Sequence, residues 1–516
     1  MDNNGVGSWL HRRRIKSGTK TAVISGGKTL SYADLADRTA RLAHALKDRG
    51  VAKGDRVAYL GENHPSFVET FFACGLLGAI FVPLNTRLAA PELQFQLQDS
   101  GARLMVSSAS LEIAAAASSL DTEITHRLVV ASDDVTEASA LRLPSGVEHY
   151  GEVIDPASAA PLDEAVTLDD AAMILYTSGT TGKPKGALLT HGNITWNCIN
   201  TVVDMDLNRN DVALMISPLF HVASLDMGLL PMLLKGATVV LESKFDAGRV
   251  LELVGQHKVT TLNGVPTTFQ MLCDHPGWST ADLTSLDKLT CGGSAVPQRV
   301  LDAYEQRGIG FTSCYGMTET APGATMLPVS ASKEKAGSAG LPHFFTDVRI
   351  ADPLGGVAGL GEVGEIQISG PNVIKEYWNR PEATGESYSD SSWFRSGDMG
   401  YQDDEGFLFV SDRMKDMIIS GGENIYPAEV EAAIAELPAV GSVAVIGVDD
   451  EKWGEVPRAI VTLRDGESLT EEQLRSHLEG RLARYKIPKS VVFVEEMPRT
   501  ASGKIRKTDL RQQYAR

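Results

Sequence analysis

Residues 176–186 read YTSGTTGKPKG, and an apolar run, AAMILYTS, leads directly into them. The apolar run predicts a buried strand. Glycines after such a strand let the backbone turn sharply and approach a ligand closely. Free backbone amides, hydroxyls and ammonium groups together are what a polyphosphate needs. The stretch offers them at Thr177, Ser178, Gly179, Thr180, Thr181, Gly182, Lys183, Lys185 and Gly186.

Two other interpretations of this stretch are weaker. It does not fit the pattern GxxxxGK[ST], so it is not a Walker A loop. A flexible surface loop rich in Ser, Thr and Gly would rarely have this composition directly after a buried strand. The stretch therefore predicts a phosphate-binding loop at the end of a strand.

Apolar runs and amphipathic segments alternate along most of the chain. VAYL, IFVPL, RLMVSS and RLVVAS predict buried strands, and the segment after Pro65 predicts a helix. This alternation implies βαβ units, mostly parallel sheets and helices on both faces. After Asp412 the pattern changes to a compact α+β module, in which Thr470 and Gln473 have capping-box spacing. We expect two domains, residues 1–411 and 412–516.

Length and charge exclude several classes of protein. A chain of 516 residues exceeds the usual size of one core, which favours two or more domains. The formal net charge of −18 argues against nonspecific nucleic-acid binding and against docking on anionic lipid, but not against a local phosphate site. Five scattered cysteines argue against a disulfide framework. Without an apolar signal or spanning segment, a cytoplasmic protein is expected.

Further motifs follow in a fixed order, and with them the chain resembles the adenylate-forming superfamily of acyl-CoA synthetases, peptide-synthetase adenylation domains and luciferases. It is most similar to stand-alone bacterial acyl-CoA or aryl-CoA ligases, over essentially its whole length. The resemblance implies an α/β fold: a large N-terminal domain of mixed, mostly parallel sheets with packed helices plus a distorted β-barrel, and a small mobile α+β C-terminal domain. The motifs are PLFHVAS at 218–224, GGSAVP at 292–297, YGMTET at 315–320, WFRSGD at 393–398, SDRMKD at 411–416, GGENIYPAEVE at 421–431 and PRTASGKIRK at 498–507.

The resemblance implies a site for ATP and Mg²⁺. Thr318 would bond a phosphate oxygen and Glu319 would hold Mg²⁺, which prefers hard oxygen ligands beside substrate phosphates. Asp398 and Arg413 would contact the ribose, and Tyr315 would stack on the adenine. Taken alone, Glu319 fits a solvated loop carboxylate and Tyr315 an ordinary core aromatic. Further implied nucleotide contacts are Gly293, Ser294, Ala295, Cys314, Gly316 and Met317.

The resemblance implies catalytic roles for two more residues. His221 would border the acyl carboxylate, although a histidine beside apolar residues is more often structural. Lys504 would supply the cation that lets a carboxylate approach the α-phosphate. Without the resemblance, Lys504 is a surface lysine in a basic tail.

The resemblance also implies that the small domain rotates between two half-reactions, with Lys415 at the hinge. A plain interdomain linker at Lys415 stays open. Rotation would replace the catalytic lysine by the loop containing Gly421 and Gly422, which would border a channel for the thiol of coenzyme A. Trp453 and Lys486 would contact coenzyme A, although Trp453 equally fits a packing role.

The expected reaction is an ATP-dependent acid–CoA ligation, through acyl-AMP and pyrophosphate to acyl-CoA and AMP. It needs no acyl-enzyme, and no GxSxG nucleophile elbow stands out in the sequence. Small residues at Ala223 and Ser224 leave space for the acyl group. An aromatic, medium-chain or bulky polycyclic monocarboxylate fits this pocket, where Asp226 is either lining or structural. Apolar neighbours are expected at Val222, Leu225, Val265 and Met326.

Other functions stay open. The closest rival is an adenylating enzyme that hands acyl-AMP to a separate enzyme or carrier protein. The short segment between Gly370 and Asp412 lacks the insertion typical of carrier-loading ligases, which favours free coenzyme A. A luciferase-like monooxygenase has no specific support. A degenerate nucleotide-binding protein conflicts with the intact Lys183, Glu319 and Lys504. A homodimer is compatible with the sequence, but no feature identifies an interface.

Overall fold

A computed structural model describes residues 2–131, 146–177, 184–292, 296, 298–390, 392–413, 416–420, 423–450, 453–479, 481–482, 484–500 and 504–515. It divides into two compact units. The first comprises Met1–Glu334, Pro342–Asp347 and Ser369–Tyr388, and the second comprises Lys335–Leu341, Val348–Ile368 and Ser389–Arg516. The predicted domain boundary between residues 411 and 412 stays a prediction.

Strands and helices alternate through the first unit, as the sequence pattern predicts. The ranges below cover both units. In chain order the strands are β1 (Thr21–Ser25), β2 (Lys28–Ser31), β3 (Arg56–Leu60), β4 (Ile80–Pro83), β5 (Leu104–Ser108), β6 (His126–Val130), β7 (Val147–His149), β8 (Ala171–Thr177), β9 (Lys185–Thr190), β10 (Val212–Met215), β11 (Thr238–Leu241), β12 (Thr261–Gly264), β13 (Lys288–Gly292), β14 (Phe311–Gly316), β15 (Gly323–Leu327), β16 (Leu341–Pro342), β17 (Asp347–Ala351), β18 (Gly364–Ser369), β19 (Glu376–Tyr377), β20 (Phe394–Gln402), β21 (Leu408–Arg413), β22 (Ile418–Ser420), β23 (Glu423–Ile425), β24 (Val440–Asp450), β25 (Gly454–Leu463) and β26 (Ser490–Phe493). The helices are α1 (Ser8–Ser17), α2 (Tyr32–Asp48), α3 (Pro65–Leu77), α4 (Ala90–Ser100), α5 (Glu112–Ser118), α6 (Tyr150–Ile154), α7 (His191–Asp204), α8 (Leu230–Lys235), α9 (Ala247–His257), α10 (Pro266–Cys273), α11 (Gln298–Glu305), α12 (Pro381–Glu386), α13 (Pro427–Ala435), α14 (Glu471–Leu478) and α15 (Lys507–Tyr514).

Two large sheets form the first unit. One has the strand order β19-β9-β8-β4-β3-β5-β6-β7, in which β8 and β19 both pair antiparallel with β9 and the other neighbours are parallel. The other runs β15-β14-β13-β12-β10-β11-β1-β2 within this unit, with antiparallel pairs only at β14–β15 and β1–β2. Parallel interior strands with helical crossovers confirm the predicted mixed, mostly parallel sheets.

Local signals explain where helices begin and end. Ser31 and Asp34 form a capping box at the start of α2, and Gly78 ends α3 in the left-handed region with φ of 67°. Between the helices and β3 and β4, the rings of Tyr59, Phe67 and Phe81 meet edge to face at about 5 Å. These contacts bury the helices against the sheet that carries the predicted phosphate loop.

The second unit contains a four-stranded sheet, β17-β18-β20-β21, in which β20 pairs antiparallel with both β18 and β21. A further sheet runs β23-β22-β25-β24, and β26 adds to β25 in parallel. Successive residues of β24 face opposite sides: Val445 packs with α13 and α14 residues, while Ala444 and Ile446 pack with Leu510 of α15. This is the α+β module that the sequence predicts, and the predicted cap is present, because Thr470 Oγ1 accepts from the N–H of Gln473.

None of the described helices combines the length and the apolar character needed to cross a membrane.

Candidate active site

The predicted phosphate loop begins where β8 ends, at Thr177, and stops where β9 begins, at Lys185. These two residues are partners in the antiparallel β8–β9 pair. Gly186 lies within β9, where an added Cβ would be 2.7 Å from the side chain of Ile174, so its small size serves packing rather than a turn. The predicted contacts Ser178, Gly179, Thr180, Thr181, Gly182 and Lys183 lie outside the described residues.

Glu319 joins the two large sheets at this loop. It lies in the 3₁₀ turn Thr318–Thr320 that follows β14, and its side chain is buried. Its Oε1 accepts hydrogen bonds from Tyr377 Oη at 2.8 Å and from Thr177 Oγ1 at 3.4 Å. Its backbone oxygen accepts from the N–H of Ile374 at 2.9 Å. The structure therefore brings Glu319 together with the ends of the predicted phosphate loop.

Tyr377 is a neighbour of both Glu319 and Lys185. The Nζ of Lys185 lies 5.5 Å from the centre of the Tyr377 ring, within range of a cation–π contact. Burial, together with the negative charge of Glu319, raises the pKa of Tyr377 well above the usual range of a phenol. The hydroxyl therefore stays protonated at neutral pH and donates to the carboxylate.

The remaining motif residues of YGMTET lie at the end of β14. Tyr315 and Thr318 are half-buried, so both keep some access to solvent. At Gly316 an added Cβ would lie 1.7 Å from the backbone oxygen of Pro322, so only glycine fits this close approach. Cys314 is the register partner of Gly292 on the adjacent parallel strand, β13. Met317 follows directly, while Gly293, Ser294 and Ala295 lie outside the described residues.

His221 precedes a π-helical turn, Ala223–Leu229, and its ring lies 4.7 Å from that of Phe220. π-Helical turns are rare and are frequent at functional sites. His221 is half-buried, and its backbone oxygen accepts from the N–H groups of Ser224 and Leu225. Of the apolar residues predicted nearby, Val222, Leu225 and Met326 are buried and Val265 is half-buried.

Asp226 lies inside this π-helical turn and is fully buried. Neither carboxyl oxygen has a hydrogen-bond partner among the described residues, and its backbone oxygen accepts from Asn197 Nδ2 at 2.8 Å. Burial raises the pKa of Asp226 well above its ordinary value, because a charged carboxylate is poorly solvated there.

In the second unit, the two predicted ribose contacts face each other in register. Asp398 on β20 and Arg413 on β21 are direct partners in the antiparallel pair. The side chain of Asp398 is buried, and its backbone N–H donates to Ser396 Oγ at 3.0 Å. Lys415, Gly421 and Gly422 lie outside the described residues.

The predicted catalytic lysine and CoA contacts also lie in the second unit. Lys504 is exposed; its N–H donates to Thr500 Oγ1 at 3.1 Å, and its backbone oxygen accepts from the Thr500 N–H at 2.7 Å. Lys486 Nζ bonds both carboxylate oxygens of Glu429 at 2.7 Å. Trp453 is exposed, with Lys489 Nζ 5.6 Å from its ring centre.

Sequence reasoning missed Tyr377. It lies 58 residues from Glu319 in a segment, IKEYWNRPEAT, that contains none of the matched motifs. An aromatic pair before a helix-starting proline was the only local signal. Such a pair fits packing equally well, so the contact becomes visible only in the folded structure.

Comparisons with known proteins identify the family of this chain. A family model described as AMP-binding enzyme matches residues 10–378, and one described as AMP-binding enzyme C-terminal domain matches residues 429–504. The chain belongs to the AMP-binding enzyme family. This confirms the resemblance that the motifs indicated.

Relatives within the family match along their whole length. A feruloyl-CoA synthase of Amycolatopsis sp is 50% identical, with 100% of both chains covered. An indoleacetate–CoA ligase of Aromatoleum aromaticum is 43% identical, covering 99% of this chain and 98% of that protein. The crystal structure of ATP-bound MatB from Rhodopseudomonas palustris has a TM-score of 0.90 at 31% identity, with 99% of each chain covered. The predicted AMP-forming acid–CoA ligase, which uses ATP and coenzyme A, is thereby confirmed.

Proposed function

We propose that this ligase acts on an aromatic monocarboxylate, which it activates at the site around Thr177, Lys185 and Glu319. The observation that carries the proposed activation site is the contact of Glu319 with Thr177, which is paired with Lys185 where the predicted phosphate loop begins and ends. Relatives named for feruloyl-CoA and indoleacetate support an aromatic acid, since both names describe aromatic acyl groups.

In the first half-reaction a carboxylate oxygen of the acid attacks the α-phosphorus of ATP. A new oxygen–phosphorus bond forms, and the bond to the β-phosphate oxygen breaks, so pyrophosphate leaves. Both reactants are anions, so a cation between them lowers the barrier. We assign this role to Lys504, whose exposed position allows it to reach a substrate.

Glu319 and Thr318 are the residues that would hold Mg²⁺ with the phosphates. The fit is good, because Glu319 is buried and anionic carboxylate oxygens suit this cation. When bound, Mg²⁺ supplies positive charge beside the leaving pyrophosphate. Besides Mg²⁺, the ammonium group of Lys185 at the start of β9 adds positive charge near the phosphates.

Further nucleotide contacts complete the proposed ATP site. We assign the ribose hydroxyls to Asp398 and Arg413, and the adenine to Tyr315. The phosphate oxygens are assigned to the loop that starts at Thr177, and the residues Cys314, Gly316 and Met317 border the base.

In the second half-reaction the thiol of coenzyme A attacks the acyl carbon of acyl-AMP. A carbon–sulfur bond forms, the bond to the AMP oxygen breaks, and AMP leaves while the thiol proton passes to solvent. Domain rotation about Lys415 would bring Gly421 and Gly422 to the site. Trp453 and Lys486 remain our proposed CoA contacts, and Lys486 must exchange its partner Glu429 to serve as one.

The acyl group is assigned to the surroundings of His221. Apolar side chains at Val222, Leu225 and Met326 suit an aromatic ring, and Ala223 leaves room beside it. We also propose a division into two domains between residues 411 and 412, and a homodimer. The proposed location is the cytoplasm, where ATP and coenzyme A are abundant.

A panel of acids tests the proposed substrate class. Pyrophosphate release would be measured with ferulate, indoleacetate, dodecanoate and malonate, each at several concentrations. We expect kcat/KM for an aromatic acid to exceed that for dodecanoate at least tenfold. A preference for dodecanoate or malonate would overturn the aromatic assignment while leaving the ligase intact.

A further inference from the structure

We propose that Tyr377 is a positioning residue for the cation ligand of this enzyme. Its hydroxyl, assisted by Thr177, holds Oε1 of Glu319 so that the other carboxylate oxygen, Oε2, faces the cation that accompanies ATP. This inference rests on the proposed role of Glu319 as the cation ligand.

The hydrogen bonds to Glu319 are one-sided. Both side-chain bonds found among the described residues end on Oε1, from Tyr377 at 2.8 Å and from Thr177 at 3.4 Å. The Thr177 hydroxyl is shared, because the backbone oxygen of Lys185 also lies 3.4 Å from it. A hydrogen bond to a charged acceptor is about twice as strong as a neutral one, and burial strengthens it further. With Oε1 engaged, rotation of the carboxylate is restricted, and Oε2 takes a defined direction.

Tyr377 is itself held on both sides by backbone bonds. It is the register partner of Ala187, because β19 adds to the edge of β9. The N–H of Trp378 donates to the backbone oxygen of Gly186 at 2.7 Å, and the N–H of Tyr377 donates to Thr384 Oγ1 at 3.0 Å. The phenol therefore reaches Glu319 from a segment whose backbone is hydrogen-bonded to β9 and to Thr384.

The same segment also fixes the backbone of the ligand residue. The N–H of Ile374, three residues before Tyr377, donates to the backbone oxygen of Glu319 at 2.9 Å. The Nζ of Lys185 lies over the Tyr377 ring, 5.5 Å from its centre. One short segment thus ties the proposed cation ligand to the strand that leaves the phosphate loop.

A purely structural role for Tyr377 makes a different prediction. If the ring only fills space, Tyr377→Phe keeps the volume and changes nothing specific to the cation. If the hydroxyl orients Glu319, the same change weakens cation binding while the fold and metal-free nucleotide binding stay intact. Cation affinity therefore separates the two roles.

The test measures Mn²⁺ binding to the full chain saturated with a non-hydrolysable ATP analogue, by electron paramagnetic resonance. Tyr377→Phe is expected to raise the Mn²⁺ dissociation constant about tenfold, the usual value of a hydrogen bond to a charged group. Thr177→Val should raise it less, since its bond is longer. For Tyr377→Phe the Mg²⁺ concentration for half-maximal pyrophosphate release should rise in parallel, with kcat at saturating Mg²⁺ nearly unchanged.

Tyr304→Phe is the matched control. This tyrosine is buried in the same unit, and its hydroxyl donates to the backbone oxygen of Phe269 at 3.1 Å, outside the segment that contacts Glu319. It should leave Mn²⁺ affinity at the wild-type value. If Tyr377→Phe fails to fold, as judged by its melting temperature, the Thr177→Val result decides.

The outcomes separate this inference from the function on which it rests. If Glu319→Gln weakens Mn²⁺ binding but Tyr377→Phe and Thr177→Val do not, the positioning role is wrong and Glu319 remains the ligand. If Glu319→Gln leaves Mn²⁺ binding unchanged, the assignment of Glu319 fails and the positioning role fails with it. A weaker affinity in all three variants supports both.

Discussion

The backbone N–H of Val6 donates a hydrogen bond of 3.2 Å to Nδ1 of His191, 185 residues later in the chain. A ring nitrogen that accepts a hydrogen bond carries no proton itself, so this imidazole is neutral. Burial lowers the pKa of His191 to about 4, since the charged ring would be poorly solvated. The bond ties the N-terminal segment to the start of α7, directly after the strand that leaves the phosphate loop.

We predict that acid weakens the fold through His191. Its pKa is lower in the folded state than in the unfolded state, so its contribution to stability is complete above about pH 6.5 and is lost as the pH falls towards 4. The loss reaches about 3 kcal/mol over this window. His191→Asn, whose Oδ1 can still accept from Val6, should flatten this part of the curve. Urea unfolding between pH 7.5 and 4.5 measures both proteins, and equal pH slopes would refute the prediction.

We predict that the contribution of Asp226 to the free energy of unfolding changes with pH in the opposite direction to that of His191. Because burial raises its pKa in the folded state, its contribution to stability is present below about pH 4 and is lost as the pH rises through the folded-state pKa. Asp226→Asn removes this titration. Near pH 6 the variant should match the wild type within about 1 kcal/mol, and its relative stability should increase towards pH 9. A constant difference in urea midpoint across this range would contradict the assignment.

Lys504 should serve only the first half-reaction. Lys504→Ala removes the cation that bridges the two anions, so adenylation should slow by roughly 10²–10³-fold. Formation of the thioester from supplied acyl-AMP and coenzyme A should change less than about threefold, because that step attacks an already activated acyl group. Lys507→Ala is the control, since Lys507 pairs with Glu431 in the same basic tail. Equal loss of both half-reactions would show that Lys504 acts otherwise.

The size of residue 223 should control the acyl group. Ala223 is exposed at the start of the π-helical turn that follows His221. Ala223→Tyr adds a ring there and should lower kcat/KM for ferulate by about tenfold, roughly the cost of misfitting one or two methylene-sized groups. Benzoate, which needs less space, should be affected little. Parallel losses for ferulate and benzoate would indicate a general disturbance rather than a narrowed pocket.

Local patterns in the sequence predicted much of this fold. The runs VAYL, IFVPL, RLMVSS and RLVVAS form β3, β4, β5 and β6, and the helix after Pro65 is α3. The Thr470 cap is present as predicted. These features depend on periodicity and on hydrogen bonds between residues three positions apart, so the sequence contains them directly.

Contacts between distant segments were not predictable in the same way. Tyr377 meets Glu319 only because β19 adds to the edge of β9 while the 3₁₀ turn after β14 reaches the same place. No local sequence pattern predicts this contact between Tyr377 and Glu319. The burial of Asp226 was equally hidden, because a carboxylate in an apolar segment fits either a lining or a structural position until its surroundings are known.

The most direct test of the central claim follows both products with one aromatic acid. The full chain would be incubated with ATP, Mg²⁺ and ferulate, with and without coenzyme A, while pyrophosphate is measured by a coupled assay and thioester by mass spectrometry. The account predicts pyrophosphate release that depends on the acid, and one feruloyl-CoA for each pyrophosphate when coenzyme A is present. Acid-dependent pyrophosphate with acyl-AMP that coenzyme A never consumes would contradict it, and would identify an enzyme that activates acids for another acceptor.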